Sequence, residues 1–440
     1  MAAADLFTGE AAPGSPYWWD GVSWPSLDAG LPAKADLLVI GAGYTGLSAA
    51  IAAHDAGARV VVIDSGEPGK GASTRNGGML GAHPRLGWTT LAARYGPDVA
   101  DALYSETGGA LAWVRRLIAD EDFRCDFEQV GRIQLAYTAA HFAAQKAYAA
   151  EVSEKGGVPC HPITRDAVTR EIATPLYKGA VLFPDHAGIH PAKYLLGFLY
   201  AVLRRGIPVV PHCPATGRAK DGSGHRVTTP KGDIAADRVV LATNGYTGAQ
   251  FPWHHRRVFP VPSYLVATEP LDAGLIAELA PGRRMMVETR AFHSYFRISP
   301  DGSRILFGGR ASLVNIALER AALVLHRRMS EIWPRLREVR LSHVWTGNTG
   351  YTFGHMPHVG EQDGMVHAMG YSGGGTVLAP WLGRKAALRA LGVPGGETAY
   401  AETALAPRWF YPGGQPRFMQ AANLWYRHWV DRREDRDAGR

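Results

Sequence analysis

The sequence predicts an α/β fold, a Rossmann-like parallel-sheet domain into which an antiparallel-sheet substrate domain is inserted. Three stretches predict it. Residues 35–64 read as one strand–glycine turn–helix–strand unit, residues 258–310 as strands parted by turns rich in Pro, Asp and Gly, and GYSGGG at 370–375 opens a late helix. A chain of 440 residues, 46% hydrophobic and 20% charged, is ordinary globular material and long enough for two domains.

Each element has its own signal. Residues 1–34 are rich in Pro, Gly and Trp without periodicity, and read as an extended arm packing Tyr17, Trp18, Trp19 and Trp24 on the body. ADLLVIGAG from Ala35 is an apolar run ending in glycines, the pattern of a buried parallel strand. YTGLSAAIAAHDAG continues as a helix stopped at Gly57, and ARVVVID is a second buried strand closing on Asp64. Residues 91–123 and 139–156 read as amphipathic helices, 194–210 as a helix broken by Gly206 before a short strand, and 225–246 as a hairpin running into a buried strand and a glycine turn. A charged helix spans about 315–338, and another follows Gly373, Gly374 and Gly375. The expected division is an arm over 1–34, a discontinuous nucleotide-binding domain over 35–90, 175–250 and 343–395, a substrate domain over 91–174 and 251–342, and a helical tail over 396–440.

Composition excludes several classes. No apolar run reaches the roughly 18–20 residues that span a bilayer, and the N-terminus has neither basic nor apolar region of a signal peptide, so a cytoplasmic location is expected. Cys125, Cys160 and Cys213 are too few and scattered for a disulfide framework or zinc site, and no metal site is expected. The net charge of +7 is spread along the chain, which predicts solubility and mild attraction for anions, not a nucleic-acid surface.

GAGYTG places Gly41, Gly43 and Gly46 between strand and helix. The first allows the tight turn, the second lets a pyrophosphate approach, and the third lets helix and strand pack; Tyr44 and Thr45 then open the helix toward the phosphates. Asp64, followed by Ser65, stands where an acid accepts ribose hydroxyls, and the lack of a neighbouring arginine disfavours a 2′-phosphate. FAD and NAD both satisfy this unit. GASTRNGGMLG at 71–81 distinguishes them, because a long glycine-rich loop after the acidic strand offers backbone N–H groups to a flat ring system with no side chain in its plane.

At these residues the sequence resembles the FAD-dependent amine and amino-acid oxidoreductases, which include D-amino-acid oxidase, glycine oxidase and monomeric sarcosine oxidase. GASTRNGG, SPYWWD at 15–20, ATEPL at 267–271, SPDGSRILFGG at 299–309 and GYSGGG at 370–375 are similar to the γ-glutamylputrescine oxidase branch of that family. The resemblance implies a nucleotide-binding domain of glutathione-reductase type. It also implies that Ser73, Thr74, Arg75, Asn76, Gly77 and Gly78 lie along the flavin, with Met79 and Leu80 near its reactive face. The implied cofactor set extends to Pro214, Ala215, Thr243, Gly245, Trp345, Gly347, Gly373, Gly374, Gly375 and Thr376. Relatives that attach the flavin covalently use cysteine or histidine; WTGNTGYTFGHMP at 345–357 has no cysteine and Asn76 stands where a histidine would serve, so non-covalent FAD is expected.

The chemistry implied is hydride transfer from the C–H beside a neutral amine to flavin N5, giving an imine or aldehyde, with O2 as electron acceptor and hydrogen peroxide as product. Candidate residues around the substrate are Tyr264, His293, Tyr295, Arg297, His355 and Tyr371; 293, 295 and 297 alternate onto one face of a strand. The loop after GASTRNGG has no basic residue before Arg85, which weighs against a simple amino acid and toward an amine or larger amino compound. The strand SRILFGG carries Arg304 and no lysine, unlike oxidases of the sarcosine type, and leaves open a dehydrogenase passing electrons to quinone or a carrier protein. A non-catalytic FAD-binding protein is the alternative of another class. In the tail, Phe418, Ala422, Trp425 and Trp429 fall at helical spacing; docking on the protein's own body is expected over peripheral membrane contact.

Overall fold

The computed structural model describes residues 6–81 and 83–439. The run around ADLLVI folds as the strand Lys34–Ile40, and helix Tyr44–Asp55 returns the chain to strand Val60–Ile63, which lies parallel to it. Continuous hydrophobicity suits these strands because helices cover the faces of a parallel sheet. Val209–Val210 extends the sheet on one side and Gly232–Leu241 on the other; the latter pairs in turn with Met365–Met369, again parallel. The hairpin Gly217–Asp221 with Gly224–Thr229 and the strand His358–Gln362 complete eight strands.

A second, nine-stranded sheet runs in the order 7–13, 341–352, 258–268, 305–309, 294–298, 285–288, 132–136, 179–183, 161–164. It is largely antiparallel, as its turn-punctuated sequence requires, yet two of its pairings are parallel: Phe7–Pro13 on Leu341–Thr352, and Met285–Glu288 on Arg132–Ala136. Helix Leu318–Ile332 packs its apolar stripe (Ala321, Ala322, Leu325, Met329, Ile332) on this sheet. Sheet membership differs from the expected division. Gly179–Phe183 and Leu341–Thr352, expected mainly with the parallel sheet, belong to the nine-stranded one. So does Phe7–Pro13, which lacked any period-2 signal and was read as part of an extended arm.

Two helices converge to position the site. Tyr44–Asp55 crosses Gly375–Leu391 closely enough that a Cβ on Gly383 would lie 2.1 Å from the Thr45 carbonyl oxygen, and Ser48 Oγ donates 2.7 Å to the Pro380 carbonyl. Small residues permit that approach. Neither helix has a cap from the side chain of its own N-cap residue, and apart from Tyr44 N, which donates to Ser73 Oγ, their first-turn N–H groups remain available to a ligand.

The tail docks on the second sheet through its polar face. Asn423 accepts from Leu313 N, Arg427 donates to the Ala311 carbonyl, Glu434 accepts from Ala291 N, and Asp435 accepts from the Tyr137 hydroxyl. Phe418 and Ala422 pack inward beside Phe259 and Tyr411, whereas Trp425 and Trp429 stack on each other 5.6 Å apart, 57% and 62% exposed. Among the described residues no helix is long and apolar enough to cross a membrane.

Candidate functional site

The glycine turn has the geometry its residues foretell. Gly41 has φ +112°, and a Cβ there would lie 2.9 Å from the Ala242 carbonyl; a Cβ on Gly46 would lie 1.8 Å from the Gly41 carbonyl oxygen. Asp64 stiffens the turn, its carboxylate accepting from Ala42 N at 2.6 Å and Gly66 N at 2.9 Å. Burial raises its pKa, and those backbone donors oppose the rise. Next to Asp64 the chain returns, Cys213 N donating to the Asp64 carbonyl, which brings Pro214 and Ala215 to the same end of the sheet. Ser65 is exposed beside it. Thr243 follows Ala242 above the turn and bonds Thr247 Oγ1 at 2.6 Å.

GASTRNGG folds back over this turn. Ser73 Oγ accepts from Tyr44 N at 3.2 Å and would stand 2.8 Å from a Cβ on Gly43. Asn76 holds the loop from inside: its Nδ2 donates to the Ser73 carbonyl and its Oδ1 accepts from Gly78 N. Two buried tryptophans hold it from outside. Trp18 Nε1 donates 2.8 Å to the Asn76 carbonyl and Trp345 Nε1 donates 3.1 Å to the Arg75 carbonyl. The Arg75 guanidinium is engaged by the carbonyls of Lys70 and Thr346, and its carbon skeleton fills the space where Gly347 lacks a side chain. Gly245 is needed for a different approach, since its Cβ would meet the Gly350 backbone at 2.9 Å. Thr376, in the first turn of the second helix, donates 2.6 Å to the Met79 carbonyl and so ties the loop to that helix.

A cavity of about 700 Å³ opens on this loop, with Gly77, Met79, Gly347, Gly373, Gly374 and Thr376 on one side and the nine-stranded sheet on the other. Of the expected substrate residues it gathers His293, Tyr295, His355 and Tyr371. Tyr295 bonds Ser263 Oγ at 2.8 Å and lays its ring against Gly77 and Gly308. Burial, with Arg310 and Arg85 nearby, holds His293 well below the usual histidine range. His355 stands at the mouth with φ +58°, pushed down to about 4 by its protein surroundings and the charges of Arg85, Arg310 and Arg94. Tyr371 reaches the cavity with its ring, but its hydroxyl bridges Thr45 Oγ1 at 2.7 Å and the Ala368 carbonyl.

Two expected residues lie elsewhere. Tyr264 points from the opposite face of its strand, bonding the Val314 carbonyl and Ile316 N. Arg297 continues the 293–295 face but is buried beneath the loop, where its Nη1 donates to the carbonyls of Gly78 and Ile189 at 2.8 and 2.9 Å. It braces the loop and does not line the cavity. Three side chains assigned to the flavin also turn away. Thr74 is buried between Trp19 Nε1 and the Gly69 carbonyl, Trp345 is buried under the loop, and Leu80 alternates with Met79 into the core.

The cavity also holds basic residues outside the expected substrate set. Arg85 and Arg310 both reach the cavity and flank Tyr351, 5.4 and 5.6 Å from its ring centroid; Arg310 Nη2 donates 2.8 Å to its hydroxyl and Arg85 Nη1 donates 2.9 Å to the Ser372 carbonyl. Burial raises the Tyr351 pKa, and the two guanidinium groups outweigh it, leaving a net decrease. Among the described residues, neither arginine has a carboxylate in ion-pair range; the cavity's one acid, Glu288, is taken by Arg290, Tyr177 and Ser294 N. The signal for Tyr351 was its alternation with 347 and 349; Arg310 follows directly on a strand ending in two glycines.

A glycine turn opening one helix, a second helix N-terminus and a glycine loop beside a cavity are what a flavin dinucleotide needs, and the residues present fit FAD. The FAD dependent oxidoreductase (DAO) family model matches residues 36–389, and the chain belongs to that family. It is 29% identical over 386 residues to γ-glutamylputrescine oxidoreductase of Escherichia coli (strain K12), covering 86% of this chain and 88% of the relative. It is 30% identical over 361 residues to a Rhizobium meliloti protein named "Probable oxidoreductase OrdL", covering 82% and 83%. Glycine oxidase from Geobacillus kaustophilus superposes with a TM-score of 0.71 at 19% identity, over 86% of this chain and 99% of that one, a likeness of fold. The chain is thus an FAD-dependent oxidoreductase.

Proposed function

We propose that the chain oxidises a primary or secondary amine that also carries a carboxylate, such as a γ-glutamyl amine or an N-alkyl amino acid, with non-covalent FAD. The observation that carries this is the pair Arg85 and Arg310, two cavity cations without a carboxylate of their own. Ser73–Met79 and the N-terminus of Gly375–Leu391 would hold FAD, which would supply a two-electron acceptor for the C–H beside the amine nitrogen; water would hydrolyse the imine product, and O2 would take up the two electrons with two protons as H2O2.

The protein's own contribution is placement and protonation. Guanidinium groups hold a carboxylate bidentately and fix the distance from it to the amine. The same positive charge disfavours an ammonium nearby and lowers the pKa of the bound amine, which therefore presents a lone pair. His293, kept neutral, adds no charge beside the amine and offers a ring nitrogen to its N–H as a hydrogen-bond acceptor. Tyr295 and Tyr351 wall the site with rings held by hydrogen bonds to Ser263 and Arg310.

The test is an anaerobic absorbance scan of the holoenzyme with matched amines that carry or lack a carboxylate. Bleaching of the oxidised-flavin band by the carboxylated members, and its loss in Arg310→Met, are expected; equal bleaching by uncharged amines refutes the carboxylate reading. Admitting air and assaying peroxide then separates an oxidase from a dehydrogenase.

A further inference from the structure

The cavity's basic wall extends past Arg310. Strand Arg132–Ala136 sends Arg132 into the same space, with Nη2 2.8 Å from a ring nitrogen of His83 and the guanidinium 5.0 Å from the Phe183 ring centroid. Its Nε has no hydrogen-bond partner, and no carboxylate among the described residues stands in ion-pair range. Helix Ala139–Gly156 buries Gln145 on the wall of this cavity, 6% exposed, with both its amide oxygen and its amide nitrogen unpartnered.

Buried polar groups are almost always satisfied, and a buried cation almost always has a counter-charge. Water could bond Gln145, but it brings no charge to Arg132. Neither does His83: burial and the charges of Arg132 and Arg85 hold it well below the usual histidine range, so it is neutral and accepts from Arg132 without compensating it. Burial also pushes Arg132 itself down to about 10, the state of a cation that lacks an anion. A positive group, an amide donor and an unmet hydrogen-bonding need therefore face one space.

We propose that Arg132 and Gln145 form a second anion-binding subsite, so that the substrate is a dianion with one carboxylate on Arg85 and Arg310 and another on Arg132. Its class is an amino dicarboxylic acid or an N-carboxyalkyl amino acid, oxidised at a carbon bearing the nitrogen that lies between or beside the two anchors. This rests on the Arg85–Arg310 reading. It adds a length requirement, because the two anchors lie at fixed places on the cavity wall.

The experiment titrates the holoenzyme with unreactive straight-chain monocarboxylates and α,ω-dicarboxylates of three to six carbons, read by the perturbation of flavin absorbance. One dicarboxylate is expected to bind at least tenfold more tightly than the monocarboxylate of equal length. Arg132→Gln is expected to remove most of that advantage while monocarboxylate affinity holds, and Arg132→Lys to restore part of it. Equal affinities for both series in the unmodified protein, or an advantage that survives Arg132→Gln, overturns the second subsite alone. If neither series binds, the Arg85–Arg310 reading falls and this one falls with it. The unmodified protein decides the matter by itself should the variants fold poorly.

Discussion

Replacing Trp345 by Phe tests whether the two-tryptophan clamp sets the flavin loop. Trp345 is wholly buried and its indole N–H is the donor to the Arg75 carbonyl at 3.1 Å, while Trp18 serves the next carbonyl, that of Asn76, at 2.8 Å. Phenylalanine keeps an aromatic ring against Leu265, Leu306 and Trp18 and removes the donor. Leaving a buried carbonyl without its donor costs about 1–3 kcal/mol. Because Arg75 and Asn76 stand at the centre of the loop, that cost falls on the conformation that receives FAD. At roughly 1.4 kcal/mol per tenfold, FAD affinity should fall about 5- to 150-fold. Flavin fluorescence recovered after ultrafiltration measures the dissociation constant, and thermal melting of the apoprotein reports the fold separately. An unchanged FAD affinity alongside a lowered apoprotein melting temperature would falsify the clamp and leave Trp345 as core packing.

Two further perturbations test neighbouring parts of the argument. Gly46→Ala puts a methyl where backbone oxygen already stands 1.8 Å away, so the turn must open; the variant should be isolated without FAD, and a wild-type ratio of flavin to protein absorbance would refute the assignment of the turn. His190 caps helix Pro191–Arg204 by accepting from Lys193 N at 3.3 Å, and burial, with the Lys193 charge, pushes its pKa down to about 4. The depressed pKa means its contribution is present above pH 6.5 and lost as pH falls toward 4, amounting to about 2 kcal/mol by pH 5. His190→Asn keeps a capping acceptor that does not titrate, so its melting temperature should fall less than wild type's between pH 7.5 and 5; equal falls would sink the assignment.

Legibility followed the range of the forces involved. The unit from Ala35 to Asp64 was readable because strand, turn, helix and acid are contiguous, and each residue type has a local backbone reason. Alternation along a strand was readable too. It placed His293 and Tyr295 on one face, and the same period carries Trp345, Gly347, Thr349 and Tyr351 from beneath the loop to the cavity. Alternation gives the face and not the depth, which is why Arg297 braces Gly78 instead of meeting substrate, and why Trp345 serves a carbonyl under the loop. The strand Phe7–Pro13 was invisible for a related reason. FTGEAAP has no hydrophobic period, and it is held at a sheet edge by pairing with Leu341–Thr352.

The cavity charges were the least legible feature and bear most on function. Arg85, Arg132 and Arg310 come from two loops and a strand far apart in sequence, so no window of residues shows them together. A net charge of +7 over 440 residues says little, because it sums unmatched cations with matched ones, as Arg205 is by Asp55 and Glu121 or Arg284 by Glu171. What distinguishes three arginines is that they line one cavity with no such partner among the described residues, and that convergence is a property of folded space. A fold that desolvates cations without neutralising them bears a cost that a bound anion relieves. The unmatched charge therefore describes the ligand: its sign by the guanidinium groups, and its length by the separation of the places where they stand.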